Sequence, residues 1–316
     1  MATASGIDAQ VGISAESAFG TYTTPTRFFE FTEESMKFEK ERIESKGIRV
    51  GRRVLHRWAA GVQRVTGDIT QEFAPQGAAL LLSHIFGTKN TTGTGPYTHT
   101  FTPGPLDNKS LTVQIGRPNI AGTVVPFSYT GCSITDFEFA CSVNEYLTLK
   151  TSLYGANEST SETLATASYP ANFSPFVFTH GSISIASSAY DVTEISISGA
   201  NNLKTDRHFI SATTPAQPRI ALESGIREYT GSLSSDFVST AAYNRFVNGT
   251  EAALALTFNA GSSAQLIFTM NVRYDGETPT VSGAEILEQS LPFKAVSGTS
   301  DADAITVQLI NADAEA

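Results

Sequence analysis

The chain has 316 residues, 41% hydrophobic and only 16% charged, with a formal net charge of -10 and a pI near 5.0. That length accommodates two ordinary domains, and the charged share falls below the usual quarter for soluble domains. The acidity excludes a protein that grips nucleic-acid phosphates, which must be neutralised by Lys and Arg. A polar but weakly charged surface suits faces that meet copies of the same chain.

The opening stretch Met1 to Val11 has neither a basic region nor an apolar run, so no signal peptide is expected. No stretch approaches the ~18 consecutive apolar residues of a membrane helix. Lys37 to Arg57 follows, and its second part is strongly basic, with Arg49, Arg52, Arg53 and Arg57 around Gly47 and Gly51. The glycines predict a loop or the tip of a long hairpin. It could meet an acidic surface of a neighbouring subunit, touch nucleic acid, or stand solvated. The subunit contact is preferred, because the net charge argues against gripping DNA and complementary charge fixes register between protein copies.

Gly67 to Phe73 alternates as a strand, with Asp68, Thr70 and Glu72 on one side and Ile69 and Phe73 on the other. Pro75 to Phe86 then reads as a helix. The Cys132 to Val143 strand places Asp136 and Glu138 on one face. Ala156 to Pro175, rich in Ser, Thr, Ala and Glu, reads as a linker. In the second half Ser232, Ser234 and Asp236 oppose Leu233 and Phe237 on a strand. A helix over Ser239 to Val247, a strand over Gln265 to Tyr274 and a frayed tail over Ala312 to Ala316 complete the chain.

The two helices sit in matching contexts. Gly61 to Phe73 aligns with Gly225 to Phe237 at a constant offset (225 - 61 = 164), repeating Gly, Thr-Gly and Phe. Thr32-Glu33-Glu34-Ser35 resembles Thr193-Glu194-Ile195-Ser196, and each helix ends before Gly-Thr. Laying Leu147 to Gly155 over Phe268 to Gly276 gives the first copy about forty extra residues by subtraction (162 - 121). The expected organisation is a tandem duplication. A first unit spans 1-156, with a long loop at about 37-60 and an insert at about 89-130. A linker covers 157-175 and a second unit 176-316.

Constellations for catalysis, cofactors or metals do not stand out. None of the five histidines is paired at a zinc-ligand spacing, and no nucleophile elbow, P-loop or dinucleotide fingerprint occurs. Asp206-Arg207-His208 reads as a loop cap, Asp301 and Asp303 as an acidic turn, and Cys141 as a buried strand residue. Two cysteines, Cys132 and Cys141, make no disulfide framework and fit a reduced, cytoplasmic assembly site.

Several segments resemble the tail tube proteins of long-tailed phages with non-contractile tails. They are Ser5-Gly6-Ile7-Asp8-Ala9-Gln10-Val11-Gly12, Ala15 to Thr21, Thr24 to Phe31, Gly51-Arg52-Arg53, and Gly67 through Gly87. The resemblance covers the first half well and the second more loosely. It implies a mainly β fold, here two tandem tail-tube-type β-sandwich or split-barrel domains, each flanked by one short α-helix. It also implies stacked rings whose inner sheets join into a barrel that encloses the tape measure protein and conducts double-stranded DNA. Contacts with tail terminator and distal tail proteins, location in the virion tail, assembly in the host cytoplasm and no membrane step follow from it. Family rings are typically six-fold, so two copies per chain lead to the expectation of three chains per ring. The competitor is six chains with only the first copy lining the channel. Asp68, Glu72, Asp136, Glu138 and Asp236 are the expected lumen carboxylates. Arg49, Arg52, Arg53 and Arg57 are the expected inter-ring contacts. The alternative is a β-sandwich that decorates a particle or binds carbohydrate, for which the lone Trp58 and scattered tyrosines supply no aromatic cluster.

Overall fold

Val-, Ile-, Thr- and Phe-rich runs alternating with polar residues favour pleated, half-buried strands. The computed structural model of the chain is accordingly mainly β, and every strand ladder is antiparallel. It describes residues 5–314 except 172, 212, 215, 277, 279, 280, 282, 283 and 285. Residues 1–4 of the opening segment and 315–316 of the expected tail lie outside the described residues.

The main elements are β1 (Gln10–Ala15), β2 (Lys37–Glu44), β3 (Trp58–Glu72), α1 (Ala79–Phe86), β4 (Tyr97–Phe101), β5 (Leu111–Pro118), β6 (Val124–Ser142) and β7 (Thr148–Gly155). The second half contributes β8 (Gly181–Ile185), β9 (Glu194–Ala200), β10 (Glu228–Asp236), α2 (Ala241–Asn248), β11 (Ala252–Asn259), β12 (Gln265–Tyr274), β13 (Glu288–Ala295) and β14 (Ile305–Asn311). One continuous sheet runs β2-β3-β7-β6-β9-β10-β13-β12. Its last strand joins only through Val272, Arg273 and Tyr274. Outer ladders cover its apolar face: β1-β5-β6 in the first half and β8-β11-β12-β14-β4 in the second. The long strands β6 and β12 serve both layers. Among the described residues no ladder closes into a barrel.

The core is one connected cluster spanning both halves. Phe139 packs edge-on against Phe73 at 5.2 Å and against Phe268 of the second half at 5.0 Å. Phe86, at the end of α1, meets Phe137 at 5.3 Å and Tyr229 of the second half at 6.2 Å. Burial of each such side chain contributes about 1.5–3 kcal/mol. Arg227 donates from Nη1 to the Phe86 carbonyl at 3.0 Å, a cation at a helix C-terminus, where the dipole favours it. Residues 157–165, which leave the first half, run along its outer ladder. Asn157–Ser159 pairs with β6, and Ala165 exchanges hydrogen bonds with Gln10 and Gln114.

Both helices are shorter than the sequence pattern suggests, because residues 75–78 form turns and α2 begins at Ala241. Each has eight residues and ends at a glycine with positive φ, Gly87 at 99° and Gly249 at 61°, the left-handed stop that glycine takes without penalty. Asp301–Ala304 adds a short helical turn where an acidic turn was expected.

The two halves repeat strand register as well as sequence. Glu33 pairs with Thr70 as Glu194 pairs with Ser234, and Lys37 with Thr66 as Ser198 with Thr230. Thr148 faces Glu72 as Glu288 faces Asp236, and Ser133 faces Tyr154 as Arg273 faces Lys294. The recurring Thr-Gly has a physical reason. A Cβ on Gly67 would lie 2.6 Å from the Ser35 carbonyl oxygen, and one on Gly231 would lie 2.2 Å from that of Ser196, the equivalent residue. These registers correct the expected hairpin alignment: β7 corresponds to β13, not to β12 (288 - 148 = 140). The equivalent of Leu111 is Ala252. The first half's excess between helix and next strand is therefore about 21 residues (162 - 141), not forty. It holds the hairpin of Asn90–Thr92 with β4, and β4 extends the second half's outer ladder by pairing with β14.

Candidate functional site

Residues directly opposite in an antiparallel ladder share a face, so the register maps both faces of the continuous sheet. One face carries Ile69, Phe137, Phe139, Leu149, Ile195, Ile197, Leu233 and Leu291, all buried against the outer ladders. The other face is polar from end to end. One row reads Asp68, Ser152, Asp136, Ala200 and Glu228. The next reads Thr70, Lys150, Glu138, Ser198, Thr230 and Lys294. Beyond it come Glu72, Thr148, Ala140, Ser196 and Ser232, and further along Glu194 with Ser234 and Asp236 with Glu288.

All five carboxylates singled out in the sequence thus lie on one face, although β3, β6 and β10 are far apart in the chain. The sequence reading missed Glu33, Glu194, Glu228 and Glu288 on the same face, and its cations. Lys150 pairs with Asp68 at 3.0 Å and Lys294 with Glu228 at 3.1 Å. Burial pushes the Asp68 carboxyl up, but a hydrogen bond from Ser152 and the Lys150 ammonium outweigh it and hold it below its ordinary value. The same contact raises Lys150. Both partners are substantially exposed, so the pair contributes at most about 1 kcal/mol. Its larger effect is to fix side-chain positions on a face where carboxylates outnumber cations. The missed signal was available: Thr148, Lys150 and Ser152 alternate with Leu149, Thr151 and Leu153.

At one end of the sheet β2 and β3 project as a long hairpin. Its tip holds Arg49, Arg52, Arg53 and Arg57, all exposed, beside exposed Ile48, Val50, Val54 and Leu55. Among the described residues these four arginines form no ion pair. Closer to the sheet, Arg64 bridges Glu39 at 2.9 Å and Glu41 at 3.0 Å, and Arg42 lies 5.3 Å over the Trp58 ring.

The other residues weighed for chemistry have structural surroundings. Asp303 accepts backbone N–H groups from Thr299 and Ser300, each at 2.8 Å, capping its helical turn. His208 reaches the Gln63 carbonyl at 3.2 Å from a loop, and Arg207 donates to the Ile220 carbonyl at 2.7 Å. Cys141 is buried on its strand, and burial pushes its thiol up to about 11. Glu16 is a buried carboxylate the sequence gave no reason to choose. It accepts from Gly20 N at 2.7 Å, Gly131 N at 2.8 Å, Ser110 Oγ at 2.7 Å and Thr112 Oγ1 at 3.1 Å. Burial raises its pKa despite these donors.

These features define a mainly β protein whose exposed feature of interest is a sheet face with its edges and a projecting arm. Residues 6–295 match the family described as Phage tail tube protein, and the chain belongs to that family. It is a structural component of the virion tail, in a class of structural proteins and not of enzymes. No curated protein matches the chain. No described helix is long and apolar enough to cross a membrane.

Proposed function

We propose that the two halves act as two tail-tube units, 1-156 and 176-316 joined by 157-175, and that three chains close into a ring of six units. The observation that carries this reading is the continuous polar-faced sheet shared by both halves, built twice in the same register. A decorating second half would have no need to keep that face. Three chains contribute 24 strands (3 × 8), which at ~4.8 Å spacing close at a backbone diameter of at least ~37 Å, and wider once the strands tilt. Asp68, Glu72, Asp136, Glu138 and Asp236 then line the channel. Like-charge repulsion keeps DNA from adhering as it passes. Joining sheets between subunits also removes exposed strand edges.

Stacked rings form the tube of a non-contractile tail, which encloses the tape measure protein, conducts genome DNA, and meets the tail terminator and distal tail proteins at its ends. The arm bearing Arg49, Arg52, Arg53 and Arg57 reaches the adjacent ring. Negative-stain microscopy of the purified protein tests the reading. Rings or tubes with a central channel are expected, and a protein that stays monomeric under all assembly conditions overturns it.

A further inference from the structure

Resting on the ring reading, we infer that the arm tip docks on a second copy of this chain in the adjacent ring, in the cleft where the two layers of that copy's second half open. In a ring of strands standing side by side, the strand ends are the surfaces that face neighbouring rings. The ladders sort these ends. Val65 with Gly155, Ser133 with Tyr154, Asp136 with Ala200 and Thr230 with Lys294 mark the arm's end. Glu72 with Thr148, Ser142 with Glu194 and Asp236 with Glu288 mark the opposite end. Identical rings stacked in one direction bring the arm's end of one against the opposite end of the next, a heterologous contact that repeats along the tube. β3 runs seven residues past its last pairing with β7 (65 - 58), about 24 Å at strand rise, so the tip crosses that boundary.

At the opposite end a cleft of about 280 Å³ opens between β6 and β9 of the continuous sheet and β8 and β11 of the outer ladder. Ile183, Ile195, Leu256 and Phe258 wall it, and Val143, 55% exposed, and Phe178 lie where it meets solvent. The charged residues lining it are both acidic, Asp191 and Glu194. Exposed Glu145 adjoins it, its carbonyl accepting from Phe178 N at 3.1 Å. Among the described residues these three carboxylates form no ion pair.

The arm tip complements this cleft in both respects. Exposed Ile48, Val50, Val54 and Leu55 are set among its four arginines. Aliphatic side chains suit an apolar cleft, and the guanidinium groups suit its carboxylates, which fix the register of docking. Nucleic acid would engage the arginines and leave the four aliphatic side chains in water. Each chain supplies one arm and one such cleft, so arms and clefts match in number at every ring boundary.

Cysteine cross-linking in assembled tubes tests the docking. The chain carrying Val54→Cys and Val143→Cys, treated with a short bismaleimide, is expected to give covalent multiples of 33.7 kDa in tubes and single chains in isolated rings. The unmodified chain, whose own cysteines are buried, should stay monomeric on a denaturing gel. Val54→Cys with Asp107→Cys, an exposed position at the arm's own end, is the geometric control. As a separate readout, Asp191→Lys with Glu145→Lys should leave rings and melting temperature unchanged and shorten tubes. Adding Arg52→Glu and Arg53→Glu to that variant should restore tube length. Tubes that form without cross-linking at 54–143, that cross-link equally at 54–107, or that keep their length after the cleft reversals overturn the docking while leaving the ring reading intact. Salt-dependent binding of duplex DNA that is lost on reversing the arm and unaffected by reversing the cleft would assign the arm to nucleic acid and overturn it too. Chains that never form rings overturn both.

Discussion

Replacing Phe86 by alanine tests whether the two halves form one cooperative structure. Phe86 is 0% exposed and packs against Phe137 of its own half and Tyr229 of the other. Removing a fully buried phenylalanine ring costs about 3–5 kcal/mol in lost transfer energy and residual cavity. The aromatic pairs add about 0.5–1.5 kcal/mol each beyond area, so a loss toward the upper end is expected. Equilibrium unfolding of the unassembled chain in urea, followed by far-UV circular dichroism and tyrosine fluorescence, reads it. The parent and the variant should each unfold in one transition with coincident probes, and the variant midpoint should fall. Val238→Ala, at an 85% exposed position, should change stability by no more than about 0.5 kcal/mol. A Phe86→Ala loss below about 1 kcal/mol, or two separated transitions in the parent protein, would refute the shared core.

Acidification should destabilise the chain through His84, which burial holds neutral with a pKa of about 4. Its contribution is complete above pH 6.5, the unfolded value, and is lost as pH falls toward 4, to a maximum of about 3 kcal/mol. His84→Gln should flatten the urea midpoint against pH over that window, and an unchanged profile would contradict this. Glu16→Ala should cost about 3 kcal/mol or more by stranding two backbone N–H groups and two hydroxyls. Glu16→Gln should cost less in the same thermal melts, and equal losses would argue that packing and not hydrogen bonding holds this site. Arg52→Glu with Arg53→Glu should leave the melting temperature unchanged and shorten tubes, more so at low salt, since exposed charges are screened beyond ~8 Å at physiological ionic strength. Unchanged tube length would assign the arm to solvent.

Local alternation revealed the acidic face because it is a property of single strands: Asp68, Thr70 and Glu72 must share a side once 67–73 is a strand. The recurrence of Thr-Gly and of the helix stops in the two halves was also legible, because close strand approach and helix termination each require glycine at a fixed place. The hairpin alignment failed for a different reason. Leu147–Thr148–Leu149 and Phe268–Thr269–Met270 share a pattern common to any half-buried strand, and only ladder register shows that β13 is the counterpart of β7. The joint of β6 with β9 was equally hidden, since Asp136 and Ala200 become neighbours across 64 residues of chain (200 - 136) and no local pattern records a long-range pairing. Glu16 escaped notice because its donors, Gly131, Ser110 and Thr112, are distant in sequence.

A reconstruction of the assembled tube by electron cryomicroscopy tests the central claim most directly. Three chains per ring, with Asp68 and Glu72 of the first half alternating around the channel with Ser232 and Asp236 of the second, is the predicted result. Six chains per ring, or this polar face on the outside of the tube, would contradict it.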